Sequence, residues 1–143
     1  MDVHSLTKAL HPIFRIVGVK PAATAAEIDG LRAAAAVPLP PDYLAVVTEM
    51  TEVELLVNGK KYLRIWGPKR CIEMNAAYQV QKHIPRSLAI GDDEGGMALV
   101  LMEGRTGNGL YMVDFSVLDA SDATLLASTI GDLLFKGVGW QSV

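Results

Sequence analysis

Cysteine, histidine and aromatic residues are all scarce in this 143-residue chain, which has one cysteine, three histidines and 6% aromatics. A single cysteine excludes a disulfide framework within the chain. With no histidine near it in sequence, Cys71 reads as a small buried hydrophobe rather than an activated nucleophile. The same cysteine and the scattered His4, His11 and His83 give no zinc-ligand spacing. No serine stands in a Gly-x-Ser-x-Gly frame, and His83, between Lys82 and Ile84, reads as a helix-end residue rather than a catalytic base. Long apolar runs are missing too. The longest, Met97–Met102, is far short of the roughly 18 residues of a membrane span, and Asp2, Lys8 and Pro12 interrupt the start of the chain where a secretory signal would be apolar. A cytoplasmic protein with no membrane partner is the expectation.

Charge of one sign is also lacking. Thirteen basic and sixteen acidic residues leave a net charge of -3, too little for a disordered chain when half the residues are hydrophobic. A chain of this length buries roughly 70% of its unfolded surface, which suits one domain over residues 1–143 without a metal or disulfide staple.

The periodicity gives an order of elements. Val3, Leu6, Leu10, Ile13, Phe14 and Val17 recur at helical spacing, but Pro12 interrupts them, so residues 1–23 read as one short helix and a connector from Gly18 to Ala23. Thr24 to Glu27 has capping-box spacing, and Ile28, Leu31 and Ala35 share a face of the helix that follows. Pro40-Pro41 opens another helix with Tyr43, Val46, Val47 and Met50 inward. From Glu52 the period becomes two: Val53, Leu55 and Val57, then the turn signal Asn58-Gly59, then Leu63 and Ile65 make a hairpin. Matching its faces requires an even pairing sum. We expect 116, with Gly59 left-handed in a bulged three-residue loop, Val53 opposite Leu63 and Glu52 opposite Arg64. Lys69–Lys82 reads as a helix with Ile72, Ala76 and Val80 inward. Strands follow over Leu88–Gly91, Met97–Met102 and Gly109–Phe115, with a mobile loop from Gly104 to Asn108, and a last helix runs from Asp122 to Phe135, ending at Gly137. The fold class expected is α+β: an antiparallel sheet with helices packed at the N- and C-terminal ends.

Two local charge groups stand out. Lys60, Lys61, Arg64, Lys69 and Arg70, interleaved with Tyr62 and Trp66, have the residue types that bind single-stranded nucleic acid. Glu49, Glu52 and Glu54 lie beside them and cancel much of that field, so a cross-paired sheet face is the reading, with no direct nucleic-acid contact. Asp92-Asp93-Glu94 lacks the spaced ligands of a calcium loop and reads as a turn, or as a surface for a basic partner.

The order of motifs carries more than any one of them. A capped helix with Ile28 and Leu31, then Leu39-Pro40-Pro41-Asp42-Tyr43-Leu44, then strands, then Leu88-Ala89-Ile90-Gly91-Asp92-Asp93-Glu94-Gly95-Gly96, then Gly109-Leu110-Tyr111 and a final amphipathic helix resembles the SUKH superfamily over about residues 24–136. That superfamily takes in a fungal cell-wall-synthesis regulator and many bacterial immunity proteins of polymorphic toxin systems. The resemblance implies a non-catalytic binding protein that neutralises a cognate protein toxin, often a nuclease, with no cofactor. The matched residues then have structural roles: Leu39 and Tyr43 anchor a helix on the sheet, Tyr43 needing a hydroxyl partner, and Gly91, Gly95 and Gly96 permit a tight turn. Candidate contact residues are Asp92, Asp93 and Glu94, or an outer hairpin face with Glu52, Tyr62, Arg64 and Trp66, of which Trp66 fits the core equally well. The alternatives are a regulatory or scaffold module without a toxin and a small-ligand domain using a pocket between sheet and helices. An enzyme would need Glu94 or Glu103 acting with a histidine that the sequence does not place nearby.

Overall fold

The computed structural model describes residues 3–143, with side chains from Leu6 onward, so Met1, Asp2 and the His4 side chain lie outside the described residues. The elements run α1 (Val3–Ala9), β1 (Phe14–Pro21), α2 (Ala25–Ala34), α3 (Pro41–Val47), β2 (Met50–Val57), β3 (Lys61–Ile65), α4 (Pro68–Ala77), α5 (Val80–His83), β4 (Ser87–Asp92), β5 (Met97–Gly104), β6 (Gly107–Asp114), β7 (Thr124–Ala127) and α6 (Ile130–Lys136). The seven strands form one antiparallel meander in sequence order. This is an α+β domain, with α4 and α5 interrupting the meander between β3 and β4.

Local signals account for several elements. The Thr24 hydroxyl accepts from the Glu27 N–H at 3.1 Å while the Glu27 carboxylate accepts from the Thr24 N–H at 2.9 Å, completing the capping box that starts α2. Pro41 occupies the first turn of α3, whose Tyr43, Val46 and Val47 are buried. Met50 is buried as expected but already belongs to β2. In β2, buried Val53, Leu55 and Val57 alternate with Glu54 and Leu56. The central strands β4, β5 and β6 are buried at successive residues, because both faces of the sheet are covered there.

Several sequence expectations are corrected. Residues 14–21 form a strand, not a helix end and connector. Buried Phe14 and half-buried Ile16 alternate with exposed Arg15, Val17 and Val19, and pairing with β2 overrides the helical spacing that the same residues also satisfy. Two register shifts, Lys20 and Pro21 mark β1 as an edge built against further pairing. Residues 124–127 likewise pair with β6, so the last helix begins at Ile130, where Thr129 caps it by accepting from the Asp132 N–H at 2.9 Å. Leu126, Ile130, Leu133 and Leu134 are all buried, so the apolar stripe was correct while its first member sits on a strand. The third correction is the hairpin register. The loop does hold three residues and Gly59 is left-handed (φ 68), but Val57 faces Lys61, so partners sum to 118: Val53 meets Ile65 and Glu54 meets Arg64. The fourth is the helix after Gly67, which breaks at left-handed Gln79 into α4 and α5; Cys71 and Asn75 face inward while Ile72 and Ala76 are exposed. The loop expected to be mobile is a two-residue turn at Arg105-Thr106, closed by the Tyr111 hydroxyl on the Gly107 carbonyl at 2.7 Å.

The junction of β3 and β4 explains the inward polar residue. Only Arg64–Asp92 and Ile65–Gly91 pair, followed by Trp66 N–H to the Ile90 carbonyl at 2.8 Å. The strands come so close here that a Cβ on Gly91 would collide with the Arg64 carbonyl oxygen. Beyond Trp66 the chain leaves the sheet for α4, and buried Asn75 satisfies β4 in its place. Its amide donates to the Ala89 carbonyl at 2.8 Å and the Cys71 carbonyl at 2.7 Å, and accepts from the Ala89 N–H and the Gln81 side chain, both at 2.9 Å. All four bonding positions of the amide are used. Each buried group left unpaired costs about 1–3 kcal/mol, so Asn75→Ala is expected to lower the unfolding free energy by about 3 kcal/mol with an unchanged m-value in urea. A loss below about 0.5 kcal/mol would show that Ala89 finds other partners.

Candidate functional site

Arg64 is the fourth of the five residues of β3, on the side of the sheet opposite Leu63 and Ile65, and both of its partners come from across the strands. Its Nη2 donates to Glu54 Oε2 on β2 at 2.9 Å and to Glu94 Oε1 in the turn after β4 at 3.0 Å. The three side chains are each about one quarter exposed. Beside them Tyr62, paired with Leu56, is 44% exposed. The outer hairpin face and the acidic turn, separate alternatives in the sequence, are thus one surface joined by Arg64.

The other candidates support that surface rather than form it. Asp92 accepts the Trp66 indole N–H at 2.7 Å on one oxygen and the Glu94 N–H at 2.8 Å on the other, which orients Glu94. Asp93 Oδ1 accepts from the Gly95 and Met97 N–H groups at 2.8 and 3.0 Å, shaping the turn. Trp66, which the sequence leaves open between the outer face and the core, is fully buried and stacks on Phe115 with ring centroids 6.2 Å apart. Its burial follows from the last residue of the hairpin turning inward to begin the α4 connection. Glu52 is also displaced. Its backbone is left-handed (φ 46), and its carboxylate accepts the Gly67 N–H at 2.6 Å ahead of α4 and approaches Arg70 Nε at 3.5 Å. Glu54 takes the place by Arg64 that the sequence reading gave to Glu52. The missed signal was the loop arithmetic: a three-residue loop over 58–60 sets the sum at 118.

The carboxyls on either side of Arg64 are unequal. Glu54 is held below the usual carboxylate range by its bond with Glu94 and then by Arg64. Glu94 is pushed up, chiefly by burial and then by Glu54. Lowering the pH through Glu54's depressed value removes the charge that binds Arg64; raising it through Glu94's elevated value ionises the second carboxyl against the first.

Groups with nucleophilic chemistry lie elsewhere. Burial pushes the Cys71 thiol up to about 12, and its Sγ is 3.3 Å from the Tyr43 hydroxyl, which donates to the Trp66 carbonyl at 2.8 Å. Tyr43 is itself raised well above the usual phenol value by burial and by Cys71. His11 Nδ1 accepts the Ile13 N–H at 3.1 Å, and His83 is exposed at the end of α5. Of the basic group, Lys61 reaches the Val143 carbonyl, Arg70 meets Glu52, and Arg64 is bracketed by acids. Among the described residues no group of three His, Cys, Asp or Glu side chains is placed to hold a metal ion, and no helix is long and apolar enough to cross a membrane.

No protein-family model matches this chain, and no curated protein sequence matches it.

Two outcomes follow from this electrostatic arrangement. In an NMR titration Glu94 should titrate above, and Glu54 below, the ordinary glutamate value, and Arg64→Gln should move both upward; unchanged values in the variant would remove Arg64 from the account. Cys71 should resist a disulfide reagent at about pH 8 in the native protein and react at the rate of unfolding, whereas immediate reaction would mean that the thiol is exposed.

Proposed function

We propose that this domain is a non-catalytic protein-binding module of the SUKH type, a bacterial, cytoplasmic immunity protein that neutralises a cognate toxin by occupying it. The observation that carries the reading is the Glu54–Arg64–Glu94 bridge with Tyr62 beside it. Arginine and tyrosine held on a rigid sheet are the side chains most able to anchor a protein interface, and an arginine already paired on both sides loses little freedom on docking.

The division of labour among the residues supports the same reading. Those bearing the family resemblance have structural work: Tyr43 bonds the Trp66 carbonyl, Gly91 lets β4 approach β3, and Asp92 and Asp93 shape a turn. The outer face carries Glu54 and Glu94 against one arginine, an acidic excess that favours encounter with a basic protein surface such as that of a nuclease. Rim charges of this kind act on association rate and specificity, with Tyr62 and the Arg64 stem supplying contact area.

Co-expression with toxins encoded beside the gene tests the proposal. Rescue of growth and a stable complex with one of them are expected, and Tyr62→Ala or Arg64→Glu should weaken that complex by at least about tenfold while leaving the fold intact. Absence of rescue and of any complex with every neighbouring toxin would overturn it.

A further inference from the structure

At the other end of β4 from Arg64's partner Asp92 lies a cleft of about 360 Å³, within the size range of small-molecule sites. Its apolar lining comes from Val37, Pro38 and Pro40, with the edge of Leu101. The sheet register builds the opposite rim. Ser87 pairs with Met102 and Glu103 pairs with Asn108, so Arg86, Glu103 and Asn108 follow one another across three neighbouring strand ends. Ser128, just past β7, adds a hydroxyl.

The polar groups of this cleft divide sharply. Asp42 accepts from the Tyr43 and Gly131 N–H groups at 2.9 and 2.8 Å, and Thr129 caps α6, so their oxygens are already used in holding α3 to α6. The side chains of Arg86, Glu103, Asn108 and Ser128 have no hydrogen bond or ion pair among the described residues. Arg86, one residue before β4, and Glu103 on β5 follow directly on the Ser87–Met102 pair, yet form no ion pair. Opposite charges presented separately over an apolar floor match a ligand with both charges and an apolar tail.

We propose that this cleft binds a small zwitterion of the amino-acid class, a free amino acid or dipeptide with an aliphatic side chain. Its carboxylate pairs with Arg86, its ammonium group with Glu103, Asn108 and Ser128 complete the hydrogen bonds, and the side chain rests on Val37, Pro40 and the edge of Leu101. A guanidinium takes a carboxylate in a two-bonded fork, which sets the orientation. This site is independent of toxin binding, since neither Arg64 nor Tyr62 lines it.

The test is amide NMR of the full chain titrated separately with L-leucine, the dipeptide Ala-Leu, N-acetyl-leucine and leucine amide. Saturable shifts in residues 101–109 and 128–130 are expected with at least one of the two zwitterions, and binding at least about tenfold weaker with the two analogues that each lack one charge. Arg86→Gln should abolish the preference over leucine amide, and Glu103→Gln the preference over N-acetyl-leucine. Both residues are exposed, so spectra outside the cleft should be unchanged. No saturable shift with either zwitterion up to about 10 mM, or equal affinity for all four probes, would overturn the proposal.

Discussion

The Asn75 amide stands where a strand would otherwise be. β4 has a full neighbour in β5 but only a two-residue neighbour in β3, and a buried strand with unpaired N–H and C=O groups is costly. Asn75 reproduces the missing strand at Ala89 by giving and taking one hydrogen bond there, while its other two bonds tie it to Cys71 and Gln81. That substitution lets the chain leave the sheet at Trp66, wind α4 and α5, and return as β4 without breaking the meander. A leucine of similar volume could fill the space and still leave Ala89 unsatisfied.

From this junction a chain of contacts runs outward to the surface. Tyr43 of α3 bonds the Trp66 carbonyl, and the Trp66 indole, fixed between that bond and Phe115, holds Asp92. Asp92 in turn bonds the Glu94 backbone, and Glu94 reaches Arg64. The bridge is therefore positioned by buried Tyr43 and Trp66 through half-buried Asp92, each held by hydrogen bonds, the arrangement that keeps an interface anchor rigid before its partner arrives. The two-residue pairing of β3 with β4 places Arg64 directly beside Asp92, so the same short ladder that makes Asn75 necessary also assembles the site.

Much of the fold was legible in the sequence because its signals were local. Thr24 with Glu27, Pro41 in a first turn, Asn58-Gly59 and the alternation of β2 each specify their own geometry, and the ordered motifs pointed to helices flanking an antiparallel sheet. The rest depended on distant partners. Phe14–Pro21 satisfies helical spacing as well as strand alternation, Thr124–Ala127 shows no alternation at all, and only pairing with β2 and β6 makes them strands. Of the site, Tyr62, Arg64 and Glu94 were found from residue type. Glu54 was missed through a register two residues off, Glu52 was misplaced because a left-handed residue in β2 has no signature in the side chains alone, and for Trp66 only the inward turn after β3 decides between outer face and core. The cleft between α3, α6 and the β5–β6 end was foreseen only as a class, since its rim is defined by register.

Native-state hydrogen exchange at the Ala89 amide tests the central claim most directly, because that N–H bonds to a side chain rather than to a strand. If Asn75 replaces the missing strand, Ala89 should exchange only through global unfolding, with the same free energy as the core amides of β5 and β6. Exchange through a low-energy local opening, comparable to the exposed Glu94 turn, would contradict the account.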